Sequence, residues 1–452
     1  MIRSRYFHDR GVVVGSDPMK YADERLMPGT IDKIDSLAVS GLIPSPAFVD
    51  RLARRIVLTR LRTLRVGEVK LVDGDDCEIL GSVSDRCQLR ATITIRNSRF
   101  YSSLAFGGSV GAAEAYIDGL WTCDDLTALL CIVTRNEELF LGVDQGLARL
   151  AAPVRSLFHF FRRNSYSGSR RNIAAHYDLG NEFFTLFLDE TMTYSCAIFD
   201  RDELTLNEAS YAKLDRVCRK LELSPRDHLL EIGSGWGALA IHAAANCGCR
   251  VTTTTISKAQ YEVAVARVAA AGLSDRVAVL LEDYRSLRGE FDKLVSVEMI
   301  EAVGHQFYDC YFKTCSDLLK PDGMMLLQAI IIADNYYEAA KKRVDFIKRY
   351  IFPGSCIPSI AAICASLAKV TDLRVFHLED ITPHYARTLR EWRSRFFTNI
   401  DRVREHGYSE EFIRMWEFYL CYCEAGFIER YIGDVQMLLV KPQSRRASIL
   451  SV

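Results

Sequence analysis

One stretch of the chain, residues 227–283, constrains the fold more than any other. It contains three short apolar runs that predict buried parallel strands, at His228–Ile232, 250–254 and Val277–Leu281. The first run leads directly into the turn Gly-Ser-Gly-Trp-Gly and then into a helical pattern over residues 238–245. Strand, turn, helix and strand form a βαβ unit, so the sequence predicts an α/β fold with a parallel sheet.

The glycine turn predicts a place where the backbone comes close to a ligand. Gly233, Gly235 and Gly237 lack the Cβ atom that would collide with a bound molecule. Dinucleotide oxidoreductases also carry a glycine-rich turn at this point, but with the spacing G-x-G-x-x-G. The spacing in this chain instead resembles the first motif of S-adenosylmethionine-dependent methyltransferases. A structural turn that binds no ligand is the alternative interpretation.

Composition argues against several classes of function. The 452 residues suffice for two or three domains, and a formal net charge of −1 gives no overall electrostatic reason to bind nucleic acid. None of the fourteen cysteines forms a CxxC pair, which argues against zinc and favours a reducing compartment. The sequence shows neither a signal peptide nor an apolar run of the roughly 20 residues that span a bilayer, so we expect a cytoplasmic protein.

The pattern along the chain predicts five segments. They are a poorly ordered leader (1–45), a small α+β domain that handles lipid or dimerises (46–150), a basic-aromatic linker helix (151–172), the catalytic domain (173–445) and a tail (446–452). Arginines alternate with phenylalanines in the linker, which suits an anionic bilayer surface. A solvated linker beside an ordinary packing face is the alternative. We therefore expect peripheral contact with a membrane.

The small N-terminal domain is predicted to begin with an amphipathic helix. Its apolar face should consist of Phe48, Leu52, Ile56, Val57 and Leu61. Two strand-like segments with turn signals such as Asp-Gly follow. Further along, Asp124 or Asp125 is the predicted N-cap of a helix that continues through Val133.

Eight motifs occur in order along most of the chain. They are HYDLGNEFF, TYSCAIF, LLEIGSGWGALA, TTISKAQ, LEDY, SVEMIEAVG, YIFPGSCIPS and CYCEAGF. Together they resemble the cyclopropane fatty acid synthase family, methyltransferases that modify the double bonds of unsaturated acyl chains. The resemblance covers about residues 50–442. It implies a Rossmann-like class I methyltransferase domain with helical insertions, preceded by a smaller α+β domain.

The resemblance also implies which residues bind S-adenosylmethionine. The matching positions are Gly233, Gly235 and Gly237 at the methionine part, Tyr194 and Ser195 beside it, Thr255 and Gln260 around the ribose, and Asp283 and Tyr284 at the adenine. In the first motif, His176 is expected to bond to the backbone and hold the loop over the cofactor. Tyr177 and Asp178 are interpreted in the same way.

The implied reaction requires a base. Methyl transfer from a sulfonium to a cis alkene should leave a carbocation on the acyl chain, and ring closure then removes a proton from the new methyl group. Water must be excluded, because it would trap the cation. The resemblance implies that a bound bicarbonate ion is the base. The positions that would hold it are Cys196, Glu301, Gln328, the backbone of Ile330, and Tyr385.

Gln328 departs from the family pattern, since many members have His at this position. An amide can still donate a hydrogen bond, but it cannot titrate near neutrality. The motifs therefore leave open a cyclopropane product or a methyl-branched fatty acid or sphingolipid. Structural interpretations are also open: Cys196 and Tyr385 could be ordinary core residues, and Glu301 a carboxylate favoured by a helix N-terminus.

The predicted substrate is an unsaturated acyl chain of a membrane phospholipid, and a homodimer is a further expectation from the family. The walls of an acyl channel, or else an ordinary core, are predicted at Phe396, Phe397, Trp416, Phe418 and Tyr419. Two other functions fit part of the pattern. Methylation of an amine head group would not need the base-holding set, and the intact glycine turn argues against lipid binding without catalysis.

Overall fold

Two β-sheets organise the part of the chain that the computed structural model describes, residues 46–136 and 179–449. The strands are β1 Gly67–Asp73, β2 Asp76–Ser82, β3 Arg90–Ile95, β4 Trp121–Cys123, β5 His228–Ile232, β6 Arg250–Thr255, β7 Val277–Leu281, β8 Phe291–Val297, β9 Leu319–Ile332, β10 Arg374–Asp380 and β11 Ile432–Val440. The α-helices are α1 Pro46–Leu61, α2 Arg99–Ile117, α3 Leu126–Arg135, α4 Asn181–Thr185, α5 Leu206–Leu221, α6 Ala238–Cys247, α7 Lys258–Ala270, α8 Tyr308–Asp317, α9 Asp334–Lys342, α10 Ile360–Val370, α11 Thr382–Thr398, α12 Ile400–Glu405 and α13 Glu410–Ile428.

The smaller sheet has the strand order β2-β1-β3-β4. Its strand β1 pairs antiparallel with β2 and parallel with β3, and α1 packs beside α2. The buried side of α1 contains Ala53, Val57 and Leu58. Leu52 is 53% exposed and Ile56 41% exposed, so the predicted apolar face was wrong at these two positions. The buried stripe is rotated because Ala53 and Leu58 supply apolar contacts that the sequence pattern had not counted.

Helix α2 is bent at a pair of glycines. Gly108 has φ +61° and ψ −145°, which is not helical and which glycine adopts without a steric penalty. The bend brings the two halves of the helix so close that a Cβ on Gly111 would lie 2.0 Å from the backbone oxygen of Ser103. The next helix, α3, is N-capped by Asp125, whose side chain accepts from the Ala128 N–H at 2.8 Å. Of the two predicted caps, Asp125 is confirmed.

The larger sheet has the order β10-β11-β9-β8-β5-β6-β7. Strands β9, β8, β5, β6 and β7 are parallel, and β11 lies antiparallel between β9 and β10. Leu229 and Leu230 are adjacent in β5 but belong to different core clusters, so both faces of the sheet are covered. The predicted Rossmann-like α/β fold is confirmed, and β5 and β7 have the predicted bounds.

Helices inserted between β10 and β11 form an aromatic core against α4. The ring of Phe183 in α4 lies 4.8 Å from that of Trp416, 6.2 Å from that of Phe396 and 5.5 Å from that of Phe187. This insertion, made of α11, α12 and α13, confirms the predicted helical insertions. Within the two described ranges, every helix is too short or too polar to cross a bilayer.

The small sheet's helices and the large-sheet region pack against each other through α13. Thr127 donates to Glu424 at 3.1 Å, Tyr116 donates to Glu417 at 2.8 Å, and Arg135 pairs with Glu429. Several predicted features lie outside the described residues: the leader, the basic-aromatic linker, the boundaries at 150 and 173, and His176, Tyr177 and Asp178. The domain limits therefore stay predictions.

Candidate active site

A cavity of about 500 Å³ opens at the carboxyl ends of β5, β6 and β8, where α/β sheets bind their ligands. It brings together most of the predicted site residues: Tyr194, Ser195, Gly233, Gly235, Thr255, Gln260, Asp283, Tyr284, Glu301, Ile330 and Tyr385. Three predicted residues, Cys196, Gly237 and Gln328, do not line the cavity. Cys196 and Gln328 are fully buried behind its wall.

The glycine turn has the conformation that the sequence predicts. Gly233, Gly235 and Gly237 have φ of +99°, +48° and +88°, in the region that side chains disfavour. A Cβ on Gly233 would lie 3.3 Å from Met299, and one on Gly237 would lie 3.3 Å from Ala264 in α7. No atom lies within 4 Å of the Cβ position at Gly235. Gly235 thus leaves open space at the cavity, whereas Gly237 serves helix packing.

The residues predicted for the ribose and adenine lie at the same end of the cavity. Thr255 donates to the side-chain oxygen of Gln260 at 3.0 Å, which fixes both side chains. Both carboxylate oxygens of Asp283 accept from the guanidinium of Arg285, at 2.8 and 2.6 Å. Arg285 also lines the cavity and was missed by the sequence interpretation. It holds the Asp283 carboxylate in place and compensates its buried charge.

A buried lysine was also missed. Lys213 on α5 is 3% exposed and donates to Ser195 at 3.1 Å, at the edge of the cavity. Burial lowers the pKa of Lys213, and the charge of Glu298 acts in the opposite direction. On β5, burial raises the pKa of Glu231 to about 8, although its carboxylate accepts from Thr253 at 2.5 Å. An amphipathic helix pattern alone gave no signal that Lys213 points inward.

Glu298 is the acceptor at the centre of the site. Its carboxylate accepts from the backbone N–H of Cys196 at 2.8 Å, from Nε2 of Gln328 at 2.7 Å and from the hydroxyl of Tyr385 at 2.6 Å. The residue follows β8, and its own N–H donates to the backbone of Gln328 at 2.8 Å. The chain then turns with φ +48° at Glu298 into the 3₁₀ turn Ile300–Ala302. The sequence interpretation gave Glu298 no role.

Two further carboxyl groups lie beside Glu298. One oxygen of Glu301 accepts from the Ile330 N–H at 2.6 Å, and the other is buried with no hydrogen-bond partner among the described residues. Burial first and the charge of Glu298 second raise the pKa of Glu301 to about 8. Asp434 accepts from Gln328 at 3.2 Å, and burial raises its pKa well above the usual range.

Gln328 belongs to a directed chain of hydrogen bonds across the sheet. Lys220 donates to the side-chain oxygen of Gln436 at 2.8 Å, and Gln436 donates to that of Gln328 at 2.9 Å. Gln328 then donates to Glu298. Lys220 also forms an ion pair with Glu379 on β10, and the Glu379 side chain is partly exposed. Because each amide has one donor end and one acceptor end, this chain orients the Gln328 N–H group towards the carboxylate.

The residues predicted to hold a bicarbonate ion do not fit that ion. The donors of Cys196, Gln328 and Tyr385 are all engaged by the Glu298 carboxylate, and the Ile330 N–H is engaged by Glu301. A second buried anion beside Glu298 would add desolvation and repulsion, and the predicted donors are already engaged. The structure therefore disagrees with the bicarbonate prediction, although it confirms that these residues lie together.

Part of the cavity wall is apolar. This apolar wall contains Leu130, Val133, Ile332, Ile347, Phe352, Leu389, Tyr419, Phe427 and Ile432. Of the five aromatic residues predicted to wall a channel, only Tyr419 lines this cavity. For Phe396, Trp416 and Phe418 the alternative prediction, an ordinary core, is confirmed, because all three are buried in the core. Both predictions were wrong for Phe397, which is 36% exposed. Two residues of α3, Leu130 and Val133, supply part of the wall instead.

The glycine turn, Thr255, Gln260 and Asp283 together fit S-adenosylmethionine. The turn allows close approach at Gly235, and the other side chains offer fixed polar groups in a largely buried cavity. Glu298 and Glu301 line the same cavity as these polar groups and the apolar side chains. That arrangement can bring a methyl donor, an apolar acceptor and a base together in one cavity.

Comparison with known proteins supports this interpretation. The family model described as mycolic acid cyclopropane synthetase matches residues 164–437. Tuberculostearic acid methyltransferase UfaA1 of Mycobacterium tuberculosis is 40% identical over 346 residues, covering 74% of this chain and 79% of the relative. Cyclopropane-fatty-acyl-phospholipid synthase of Escherichia coli K12 is 36% identical over 354 residues, covering 77% of this chain and 86% of the relative.

A solved structure agrees with these relatives. Mycolic acid cyclopropane synthase CmaA1, in complex with SAH and CTAB, is 34% identical and superposes with a TM-score of 0.56. It covers 60% of this chain, and 98% of that structure is matched. The chain therefore belongs to the mycolic acid cyclopropane synthetase family and is an S-adenosylmethionine-dependent C-methyltransferase, as its motifs predicted.

Proposed function

We propose that the protein methylates the cis double bond of an unsaturated acyl chain of a membrane phospholipid, and that loss of a proton from the new methyl group then closes a cyclopropane ring. One observation carries this proposal: the carboxyl groups of Glu298 and Glu301 line a single cavity together with the predicted cofactor residues and an apolar wall. The name of the Escherichia coli relative, a cyclopropane-fatty-acyl-phospholipid synthase, supports the choice of substrate and product.

The chemistry divides between cofactor and protein. When bound, S-adenosylmethionine supplies a methyl group whose bond to sulfur breaks as it bonds to one alkene carbon, leaving positive charge on the other carbon. The apolar walls keep water from that cation, and Tyr385 and Phe427, stacked at 4.3 Å, offer aromatic faces beside it. A carboxylate then accepts a proton from the methyl group, and the electron pair of that C–H bond closes the ring.

A second product is favoured by the amide at Gln328. This side chain cannot titrate near neutrality, and a relative with 40% identity carries the name of a methyltransferase and not of a cyclopropane synthase. Loss of a proton from a carbon next to the cation would give a methyl-branched chain that keeps a double bond. Both products add one CH₂ unit, so mass alone does not distinguish them.

To reach a phospholipid acyl chain, the protein must contact the surface of a bilayer. We propose that the arginines and phenylalanines of residues 151–172 make that peripheral contact, because basic and aromatic residues together bind anionic lipid surfaces. A homodimer is a further proposal from the family resemblance.

The test is lipid mass spectrometry on a bacterial host that lacks such an enzyme and expresses the full chain. We expect a gain of one CH₂ unit in monounsaturated phospholipids. Catalytic hydrogenation of the extracted acyl chains, under conditions that leave cyclopropanes intact, then distinguishes the two products. The branched alkene takes up H₂, whereas the cyclopropane ring does not.

The matched variants for this test are substitutions at two glycines that both have positive φ. Gly235→Val should abolish the product, because a side chain would fill the open space at the cofactor turn. Gly272→Val places the same change in an exposed turn with no atom within 4 Å and should keep the product. Unmodified lipids in cells that contain folded wild-type protein would contradict the proposed function.

A further inference from the structure

The Glu298 carboxylate occupies the place that the family resemblance gave to a bicarbonate ion. Its two oxygens accept from Cys196, Gln328 and Tyr385, at distances of 2.6 to 2.8 Å. A carboxylate and a bicarbonate ion share a planar O–C–O group, and this is the group that such a set of donors binds. The side chain therefore satisfies the same donors as the ion would.

We infer that Glu298 is itself the base that takes the proton from the methylated acyl chain, and that turnover by this enzyme needs no bicarbonate. The inference rests on the proposed methyl transfer to an alkene. It assigns a catalytic role to a residue that the sequence pattern left unassigned, and it replaces a diffusible ion by a covalently attached group.

The position of Glu298 supports direct contact with the reacting chain. Glu298 lines the same cavity as Gly233, Gly235, Glu301 and Tyr385. Its φ of +48° lies in the left-handed region that non-glycine residues rarely adopt. Strained backbone of this kind persists where the surrounding structure enforces it and is concentrated at functional sites. Here the enforcing contacts are the three hydrogen bonds to the carboxylate.

The distribution of donors identifies Glu298 as the group that carries negative charge. It accepts three hydrogen bonds, whereas Glu301 accepts one and Asp434 shares the amide of Gln328 at 3.2 Å. Neighbouring carboxyl groups in a buried site cannot all ionise, so the one with the most hydrogen-bond donors ionises first. Burial raises the pKa of Glu298 as well, but the hydrogen bonds from Tyr385, Cys196 and Gln328 act in the opposite direction. The buried ammonium group of Lys213 interacts with Glu298 and partly compensates its charge.

The proposed step balances without any other reactant. A C–H bond of the transferred methyl group breaks, its proton moves to a Glu298 oxygen, and its electron pair forms the third bond of the ring. Glu298 becomes neutral, and it returns the proton to water after the product leaves. The directed hydrogen bond from Gln328 stabilises the ionised form and positions it for the next cycle.

The experiment uses purified full-length enzyme, S-adenosylmethionine and vesicles of dioleoyl phosphatidylethanolamine and phosphatidylglycerol in CO₂-free buffer. We expect the wild-type rate to be the same with and without added bicarbonate. Glu298→Gln should lower turnover by about 100-fold in both buffers, the usual contribution of a general base. Glu298→Gly should turn over slowly without bicarbonate. Its turnover should rise roughly tenfold or more when the ion is added, because the donors freed by the substitution can bind bicarbonate.

Calorimetric measurement of S-adenosylmethionine binding tests whether each variant keeps a folded site. The inference would be overturned if turnover by the wild-type enzyme depended on bicarbonate. It would also be overturned if the Glu298→Gln variant bound cofactor and turned over at the wild-type rate. If Glu298→Gln does not fold, the wild-type comparison and the rescue of Glu298→Gly decide the question. A wild-type enzyme that binds cofactor but modifies no lipid would overturn the proposed function, and the inference with it.

Discussion

At the scale of single residues, Glu298 shows why a site is harder to predict than a motif. The sequence places an acidic residue after β8, but its three donors come from a loop, from β9 and from α11. Residues that are distant along the chain therefore define its environment. The cofactor turn was predictable because its glycines are adjacent in sequence and their conformation is local. The pairing of Arg285 with Asp283 and the inward direction of Lys213 depend on tertiary packing.

The raised pKa of Glu301 leads to a prediction about stability and pH. The folded carboxyl group has a pKa of about 8, caused first by burial, while in the unfolded chain it ionises near its usual 4.5. The folded state thus binds more protons between these values, so the free energy of unfolding falls as pH rises from about 4.5 to about 8, by at most about 1.4 kcal/mol per pH unit.

Replacement by glutamine should remove that component. Glu301→Gln is expected to lose less stability than wild type between pH 5 and pH 8, as measured by urea denaturation at each pH. Glu290→Gln, at an exposed position, is the control and should follow the wild-type curve. Equal pH slopes for Glu301→Gln and wild type would show that Glu301 is not buried in its neutral form.

At the scale of elements, periodicity predicted the larger sheet well. Strands β5 and β7 have the predicted bounds because a buried parallel strand is a continuous apolar run with sharp ends. Helix α1 was also predicted, but two residues of its apolar face were wrong, since the rotation of a helix depends on what packs against it. The same limit applies to the aromatic residues of α11 and α13. Their spacing predicts helices, but it does not predict which face of each helix packs in the core and which lines the cavity.

The bend in α2 allows a matched test within one helix. Gly111→Ala would place a Cβ 2.0 Å from the Ser103 backbone oxygen, so we expect a loss of roughly 1–3 kcal/mol in the free energy of unfolding. Gly107→Ala has no atom within 4 Å and should be neutral or stabilise by up to about 1 kcal/mol. Chemical denaturation checks both. Equal effects of the two substitutions would mean that the two halves of α2 are not in close contact.

At the scale of the whole molecule, helices α2 and α3 beside the smaller sheet contribute to the wall of the candidate active-site cavity. Ser109, Leu130 and Val133 line the cavity, and Arg343 donates to Ser109 at 2.9 Å across the wall. Buried Glu424 on α13 accepts from Thr127, Arg390 and Arg393, which fixes α3 against the catalytic region. The sequence predicted a lipid-handling or dimerising domain here. Its share of the cavity wall is consistent with the first of these roles, which stays a proposal.

This arrangement predicts control of acyl length by α3. Val133→Trp should fill space beside the apolar wall of the cavity and shift products towards shorter acyl chains, as measured by mass spectrometry of lipids from vesicles with mixed chain lengths. Ile79→Trp, at a 64% exposed position on β2, is the control and should leave the product distribution unchanged. An unchanged distribution in Val133→Trp would place the acyl chain elsewhere in the cavity.

The directed amide chain behind the site has a consequence for how such enzymes diverge. Lys220, Gln436, Gln328 and Glu298 are linked donor to acceptor, and the first of them pairs with Glu379 near the surface. If Glu298 is the base, as we propose, a substitution at Glu379 would change the basicity of the inner carboxylate without touching the substrate. Selection could then tune the fate of the proposed cation from the edge of the sheet and leave the cavity wall unchanged.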